Sequence, residues 1–216
     1  MKFTVVNAEQ RSDAWHAARL GRLTGSRAAD MLAAGKGGAE AAGRRNLRVQ
    51  LMLERLTGRS HDRGFVSAAM QQGIEREPDA QAMYEALTGR MLNLTGFVSS
   101  DSIMAGCSLD GHVGDFEGII EIKSPLAATH LEYLRTGVVP PDYMKQILHS
   151  LWITGARWCD WLSFNSDFPE SLQVKLVRVA RNEAAVADYE RRALAFLAEV
   201  EIEYEAVAKL AEAVAV

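Results

Sequence analysis

Apolar positions change period along the chain, and the changes divide it into helical and extended stretches. Ser12 is a candidate N-cap before "DAWHAARL", and "GSRAADMLAA" and "EAAGRRNLRVQLMLERLTG" continue at helical spacing, the last stopped by Gly58. The first third is therefore expected to be helical. After a polar connection, "AAMQQGIEREPDAQAMYEALTG" predicts a further helix, interrupted near Pro78 and closed by Gly89, which puts Glu75 and Glu77 at or before a helix start. "MLNLTGFVSS", "SIMAGCSLD" and "EGIIEIKS" are short β-rich runs between Gly and Ser/Asp turns, which predicts an antiparallel meander. "AATHLEYLRTG" and "PDYMKQILHSLWITG" return to helical spacing, and "RWCDWLSFN" and "LQVKLVRVA" to strands. Residues 182–212 then read as a long amphipathic helix with Val186, Tyr189, Phe196, Val200 and Val207 on its apolar stripe. This order makes an α+β fold, a sheet flanked by helices.

A chain of 216 residues can bury a well-filled core, and one domain spanning 1–216 is the favoured count. Its longest apolar runs fall far short of a membrane span and no basic, apolar leader opens it, so a soluble cytoplasmic protein is expected. Cys107 and Cys159 have neither CxxC spacing nor His partners, which signals reduced core thiols rather than a disulfide framework or a zinc site. The net charge of −4 argues against nucleic acid only if it is evenly spread. It is not: residues 16–63 hold ten Lys/Arg against four Asp/Glu, whereas residues 182–216 hold three against eight. The basic third could follow phosphates, or it could be a solvated helix face.

The chemistry concentrates in "SLDGHVGDFEGIIEIKSP", residues 108–125. Side chains two apart in a strand share a face, so Glu121 and Lys123 form a unit on an otherwise apolar run. If "GHVGDFEG" turns the chain back, the carboxylate of Asp110 approaches Glu121, and two such carboxylates repel unless a cation lies between them. Oxygen donors without Cys or His suit Mg²⁺ or Mn²⁺ better than Zn²⁺. Lys123 could then orient or deprotonate a water, or steady negative charge developing on a phosphate. An isolated Glu-x-Lys is commonly only an ion pair on an exposed strand face. Here it comes with Asp110 upstream, a Glu-rich helix start further upstream and a helix carrying Gln146 downstream.

In "DAWHAARLGRLTGSRAADML", "GIEREPDAQAMYE", "GCSLDGHV", "IIEIKSP" and "YMKQILHSLWITGARWCDWLSF", taken in order and with their gaps, the chain resembles the phage lambda exonuclease family. These YqaJ-type viral recombinases belong to the PD-(D/E)XK nuclease superfamily. The resemblance implies a central mixed β-sheet flanked by helices. It implies that Asp110, Glu121 and the Ile122 carbonyl bind the principal metal, with Lys123 as the catalytic lysine. Glu77 in "REPDA" matches the helix carboxylate that helps to hold a second ion, with Glu75 as its rival. Gln146 matches the auxiliary glutamine near the scissile phosphate. Arg19 and Ser26, joined by Ser108, match positions that hold a DNA 5′-phosphate, a role suited to an arginine fork with a hydroxyl at a helix start. His149, one turn after Gln146, reads as a packing histidine. The chain departs from lambda exonuclease at Gln72, before Gly73, where an aromatic is expected, so the resemblance leaves the DNA-wedging details near Met70 open.

The resemblance thus implies a Mg²⁺- or Mn²⁺-dependent 5′-to-3′ exodeoxyribonuclease with two ions per site. It would digest one strand of linear duplex DNA to leave 3′ overhangs for phage-type recombination. It further implies a homotrimeric ring around DNA, a single-strand annealing protein as partner, and a phage or prophage origin in a bacterial host cell. The alternatives are a PD-(D/E)XK endonuclease or repair nuclease, and a DNA-end-binding scaffold without the reaction. A pure binder has no need of an acidic cluster that repels phosphates, which weighs against the scaffold.

Overall fold

The computed structural model describes residues 2–61 and 67–214. The polar connection expected after Gly58 lies partly outside them. Ser12 caps α1 (Asp13–Arg19) by accepting from Trp15 N–H, and Gly58 stops α3 (Ala42–Thr57) in the left-handed conformation at φ 64°. Between them the "GSRAADMLAA" stretch is only a 3₁₀ turn, Gly25–Arg27, and one helical turn, α2 (Ala28–Met31). Two strands unforeseen in this helical third frame it: β1 (Phe3–Val6) and β2 (Leu23–Thr24).

The helix α4 (Ala68–Thr88) runs unbroken through Pro78, contrary to the expected interruption. Pro78 cannot donate to the Ile74 carbonyl, so one helical bond is forfeited there. Tertiary anchoring after the proline holds the helix on course. Ala80 and Tyr84 are fully buried against Ile120, Ile122, Leu162 and Phe164. The Tyr84 hydroxyl donates to Asp160 at 2.9 Å, and Arg178 grips the two oxygens of that carboxylate at 2.8 and 2.7 Å.

The remaining strands are β3 (Phe97–Ser100), β4 (Ala105–Cys107), β5 (Gly111–Val113), β6 (Gly118–Lys123), β7 (Trp158–Phe164) and β8 (Val174–Ala180). Both antiparallel and parallel pairs occur, as a mixed α+β fold requires. The strands fall into two sheets rather than one continuous meander, with orders β1-β3-β4-β2 and β5-β6-β7-β8. The break comes at Ser108–Asp110, where the chain leaves β4 and enters β5. In the second sheet β6 pairs antiparallel with β5 and parallel with β7, Glu121 lying opposite Trp161. The crossover to β7 carries two helices, α5 (Ala127–Thr136) and α6 (Pro141–Thr154).

The last helix, α7 (Glu183–Val214), buries Val186, Tyr189, Phe196 and Val200 against the main core, and Val207 packs at its edge. Cys107 and Cys159 are buried free thiols. The charge asymmetry of the sequence resolves at this helix. Arg44 on α3 grips both oxygens of Glu199 at 2.7 and 2.9 Å, Arg48 pairs with Glu203, and Arg55 reaches Glu201 at 2.9 Å. Three of the basic residues in the N-terminal third therefore clamp α3 to α7, and that face is not a free track for phosphates. No helix among the described residues is long and apolar enough to cross a membrane.

Candidate active site

The strand β6 alternates as its sequence requires. Ile120 and Ile122 pack toward α4, while Glu121 and Lys123 project from the opposite face. Glu121 is 3% exposed, and the ammonium of Lys123 ion-pairs with its Oε1 while lying 5.0 Å from the centre of the Tyr143 ring. Asp110, just before β5, accepts the Ile122 backbone N–H on Oδ2 at 2.6 Å. The N–H and C=O of one strand residue project from the same edge, so the Ile122 carbonyl also faces the Asp110 side, past the end of β5. Asp110, Glu121, Ile122 and Lys123 thus converge where the first sheet passes into the second.

The helix α4 adds the third carboxylate. Glu77 borders the same cleft as Asp110 and Lys123, whereas Glu75 accepts from Gln71 at 3.0 Å on the exposed side of the helix. Of the two rivals, Glu77 is the one that faces the cluster. One turn further on, Gln81 donates to the Asp110 carbonyl at 3.0 Å, and Gln10 donates to the neighbouring Leu109 carbonyl at 2.9 Å. Arg11 donates to Glu77 at 3.4 Å. None of Gln10, Arg11 and Gln81 carries a local sequence signal for such a role. Each is revealed only by a contact across at least 29 positions of chain.

Electrostatics show how crowded the cluster is. Burial, opposed by Lys123 and reinforced by Asp110 and Glu77, pushes the Glu121 carboxyl up to about 7. Asp110 is also raised by burial, against the pull of Lys123, the Ile122 N–H and Arg11. Burial and the neighbouring Asp110 raise Glu77. Burial would lower Lys123, but Glu121 and Asp110 outweigh it and hold the amine above the usual lysine range. Lys123 is thus a fixed cation.

Among the described residues no three His, Cys, Asp or Glu side chains are drawn together tightly enough to form a finished metal cage. The donor chemistry nevertheless fits a hard divalent ion: carboxylate oxygens from Asp110, Glu121 and Glu77, a backbone carbonyl at Ile122, and no sulfur or imidazole in the cluster.

A cleft of about 750 Å³ runs from this cluster to a second polar centre. There Ser108 Oγ accepts from Arg19 at 2.8 Å and from the Trp15 indole at 3.0 Å, and the Arg19 guanidinium lies 4.0 Å over the Trp15 ring. Ser26 lines the same end, its hydroxyl 3.3 Å from that of Thr24. Gln146 is brought to this side, with Cγ 3.3 Å from where a Cβ on Gly25 would stand. His149 is wholly buried, its ring between the Tyr189 hydroxyl at 2.8 Å and the Gly106 carbonyl at 2.9 Å, as a packing histidine would be. Met70, 55% exposed, borders the cleft.

The family profile for the YqaJ-like viral recombinase domain matches residues 14–157, which include Arg19, Ser26, Glu77, Ser108, Asp110, Glu121, Lys123 and Gln146. The chain belongs to the YqaJ-like viral recombinase family. Its fold also matches the crystal structure of an alkaline exonuclease, LHK-Exo, from Laribacter hongkongensis. The TM-score is 0.84 and the identity 39%, over 94% of this chain and 100% of that one. A structure of LHK-Exo in complex with dAMP matches equally well, at TM-score 0.84 and 39% identity with the same coverage. A phage-related exonuclease from Haemophilus somnus, 14% identical over 88% of this chain and 96% of that one, shares the fold at TM-score 0.64. Among curated proteins, none matches the chain.

Proposed function

We propose that this YqaJ-family chain is a divalent-metal-dependent exodeoxyribonuclease that digests one strand of linear duplex DNA in the 5′-to-3′ direction, leaving 3′ single-stranded overhangs for recombination. The observation that carries this reading is the single cleft that joins a carboxylate–lysine cluster at one end to an arginine–serine pocket at the other. A cluster alone fits any phosphodiesterase. A second, separate anion pocket on the same cleft fits an enzyme that holds a strand by its end. The kinship with LHK-Exo, an alkaline exonuclease, supports the same reading.

Asp110, Glu121 and the Ile122 carbonyl would hold the principal Mg²⁺ or Mn²⁺, with Glu77 toward a second ion. A divalent ion there supplies Lewis-acid polarisation of the phosphate. The ammonium of Lys123, kept charged by Glu121 and Asp110, donates to the phosphate oxygens as negative charge builds during attack by water. Gln81 and Gln10 fix the backbone on which Asp110 sits. Arg19, stacked on Trp15 and bonded to Ser108, presents donors to a terminal 5′-phosphate, with Ser26 beside it. Gln146 stands at the Gly25–Ser26 turn, on the side of the bound end. The family resemblance extends the proposal to a ring of three copies in the cytoplasm of a bacterial host, working beside a single-strand annealing protein.

The test is digestion of a 5′-labelled linear duplex and of a closed circular duplex, each with Mg²⁺ and with EDTA. Early release of labelled mononucleotide from the linear substrate, with the circle intact and no reaction in EDTA, is expected. Cleavage of the circle would make the protein an endonuclease, binding without cleavage would make it a scaffold, and full activity in EDTA would remove the metal site.

A further inference from the structure

Arg11 stands where the backbone disfavours it. The turn Glu9–Ser12 is closed by the Ser12 N–H donating to the Glu9 carbonyl at 3.1 Å, and its third residue, Arg11, has φ 71°. Turns with a positive φ at that position favour Gly or Asn, because a Cβ there crowds the backbone. Gln10, bonded to the Leu109 carbonyl, pins the turn against the chain leading into Asp110. The conformation carries the guanidinium into the cleft, where it lies 3.4 Å from Glu77 while its side chain stays 48% exposed. Arg11 also borders a second cavity, of about 440 Å³, lined by Gln10, Pro78, Gln81, Leu94 and Thr95 on the far side of Glu77 and Asp110.

An exposed arginine 3.4 Å from one oxygen of a partly exposed carboxylate gains little from that pair. A weak surface pair does not by itself account for a bulky residue in the left-handed region. A residue held in an unfavourable conformation with its charged end at a reaction cleft points to use of that end. Arg11 is bonded to Glu77, whereas Arg19 is bonded to Ser108 and stacked on Trp15, so the two guanidiniums stand at different points of the cleft.

We propose that Arg11 contacts an internal phosphate of the DNA strand, on the Glu77 side of the scissile bond, while Arg19 holds the end. This rests on the exodeoxyribonuclease reading. When the strand enters, the guanidinium exchanges its single long bond to Glu77 for the phosphate, which leaves the Glu77 carboxylate open to the cleft. The open cavity beyond Pro78 leaves room for the strand to continue past Arg11.

The experiment compares wild type with Arg11→Asn, Arg11→Gly and Arg11→Lys in the full chain. Asn and Gly both tolerate the turn, so neither needs to unfold the protein. Equilibrium binding to 5′-phosphorylated and 5′-hydroxyl linear duplexes is measured in Ca²⁺ across a salt series, and thermal stability in parallel. The Asn and Gly variants are expected to keep or raise the melting temperature while binding about three- to tenfold more weakly. Their plots of log affinity against log salt should be shallower by about 0.9, with equal losses on both kinds of end. Lys should restore the salt slope.

Unchanged affinity and slope in Arg11→Asn would overturn the proposal. So would a loss of stability shared by the Asn and Gly variants, which would make Arg11 a structural residue. A loss confined to 5′-phosphorylated ends would overturn it too, by placing Arg11 at the end pocket. If wild type neither binds nor digests duplex DNA, it is the parent reading that fails.

Discussion

Gln81 donates its amide to the backbone carbonyl of Asp110 at 3.0 Å, so the helix that carries Glu77 is tied directly to the chain that carries Asp110. The two carboxylates come from segments more than thirty positions apart, and this bond fixes their relative positions. Gln81→Ala should cost only about 1 kcal/mol of stability, the usual net value of a neutral hydrogen bond. Its effect on rate should be larger, on the order of ten- to a hundredfold, if Asp110 and Glu77 hold the reaction centre as proposed, because misplacing either by a fraction of an ångström weakens every contact it makes. Initial rates across a Mg²⁺ titration, set beside melting curves, give both quantities. A rate loss no greater than the stability loss implies would reduce Gln81 to a packing residue.

Lys123→Ala removes a cation from beside a buried carboxylate. If the ammonium steadies charge on the phosphate, the rate at saturating Mg²⁺ should fall by roughly two or more orders of magnitude. Duplex binding in Ca²⁺ should change little, since one cation among many phosphate contacts contributes modestly. Single-turnover digestion and equilibrium binding separate the two effects, and equal losses in both would make Lys123 only a DNA anchor.

The elements and the heart of the site were largely legible in the sequence, for physical reasons that also explain what was not. Capping at Ser12, Gly58 and Gly89 is local chemistry, as is the period-two pattern that put Glu121 and Lys123 on one face, and both appear as read. Pro78 is a local breaker overruled by distant packing at Ala80 and Tyr84. The strands β1 and β2 are short and owe their existence to pairing with β3 and β4, which no window of sequence around them contains. Arg44, Arg48 and Arg55 read as a basic face, yet their partners lie on α7, about 150 positions away. Arg11, Gln10 and Gln81 were invisible for the same reason: each has an ordinary local context and gains meaning only from its long-range partner.

The raised carboxyl of Glu121 makes metal-free stability depend on pH. Its ordinary value is 4.5 and its folded value about 7, so its favourable contribution is complete below 4.5 and is lost as pH rises through 7. In chelator, this group makes the protein more stable at pH 6 than at pH 8, by about 1.3 kcal/mol. If Mg²⁺ binds the ionised cluster as proposed, it should restore stability most at the higher pH. Glu121→Gln should flatten the pH dependence and abolish the Mg²⁺ effect. Melting curves at pH 6 and 8, with Mg²⁺ and with EDTA, check it. An identical Mg²⁺ shift in the variant would take Glu121 out of the metal site.

His149 acts in the opposite direction. Burial, resisted by the bond to the Gly106 carbonyl, lowers its ring from 6.5 to about 4, so the folded state holds it neutral. Its contribution to stability is complete above 6.5 and is lost as pH falls toward 4, because the unfolded chain then binds a proton that the folded chain refuses. The loss should reach about 3 kcal/mol. His149→Gln is expected to be less stable at neutral pH yet to lose less on acidification, and the wild-type ring should show no NMR titration above pH 5. A ring titrating near 6.5 would mean that it is not sealed between Tyr189 and Gly106.

Arg19 separates an end-directed enzyme from a general nuclease on the same fold. Its guanidinium is oriented before any substrate arrives, by the Trp15 ring beneath it and by Ser108 at 2.8 Å. Such a fork can give a terminal 5′-phosphate paired, charged hydrogen bonds that an internal diester accepts less well. Wild type should therefore digest 5′-phosphorylated ends faster than 5′-hydroxyl ends, by on the order of tenfold, and Arg19→Ala should erase the difference. Activity on 5′-hydroxyl ends should change little, because Asp110, Glu121 and Lys123 still stand together. Arg19→Lys should behave like Ala rather than like wild type, since an ammonium keeps the charge but neither the fork nor the stacking on Trp15. The ratio of initial rates on the two substrates, at one fixed salt concentration, reads all of this. An unchanged ratio in Arg19→Ala would leave the reaction centre intact and move end recognition elsewhere in the cleft, whereas a ratio near one in wild type would count against the 5′-end reading itself.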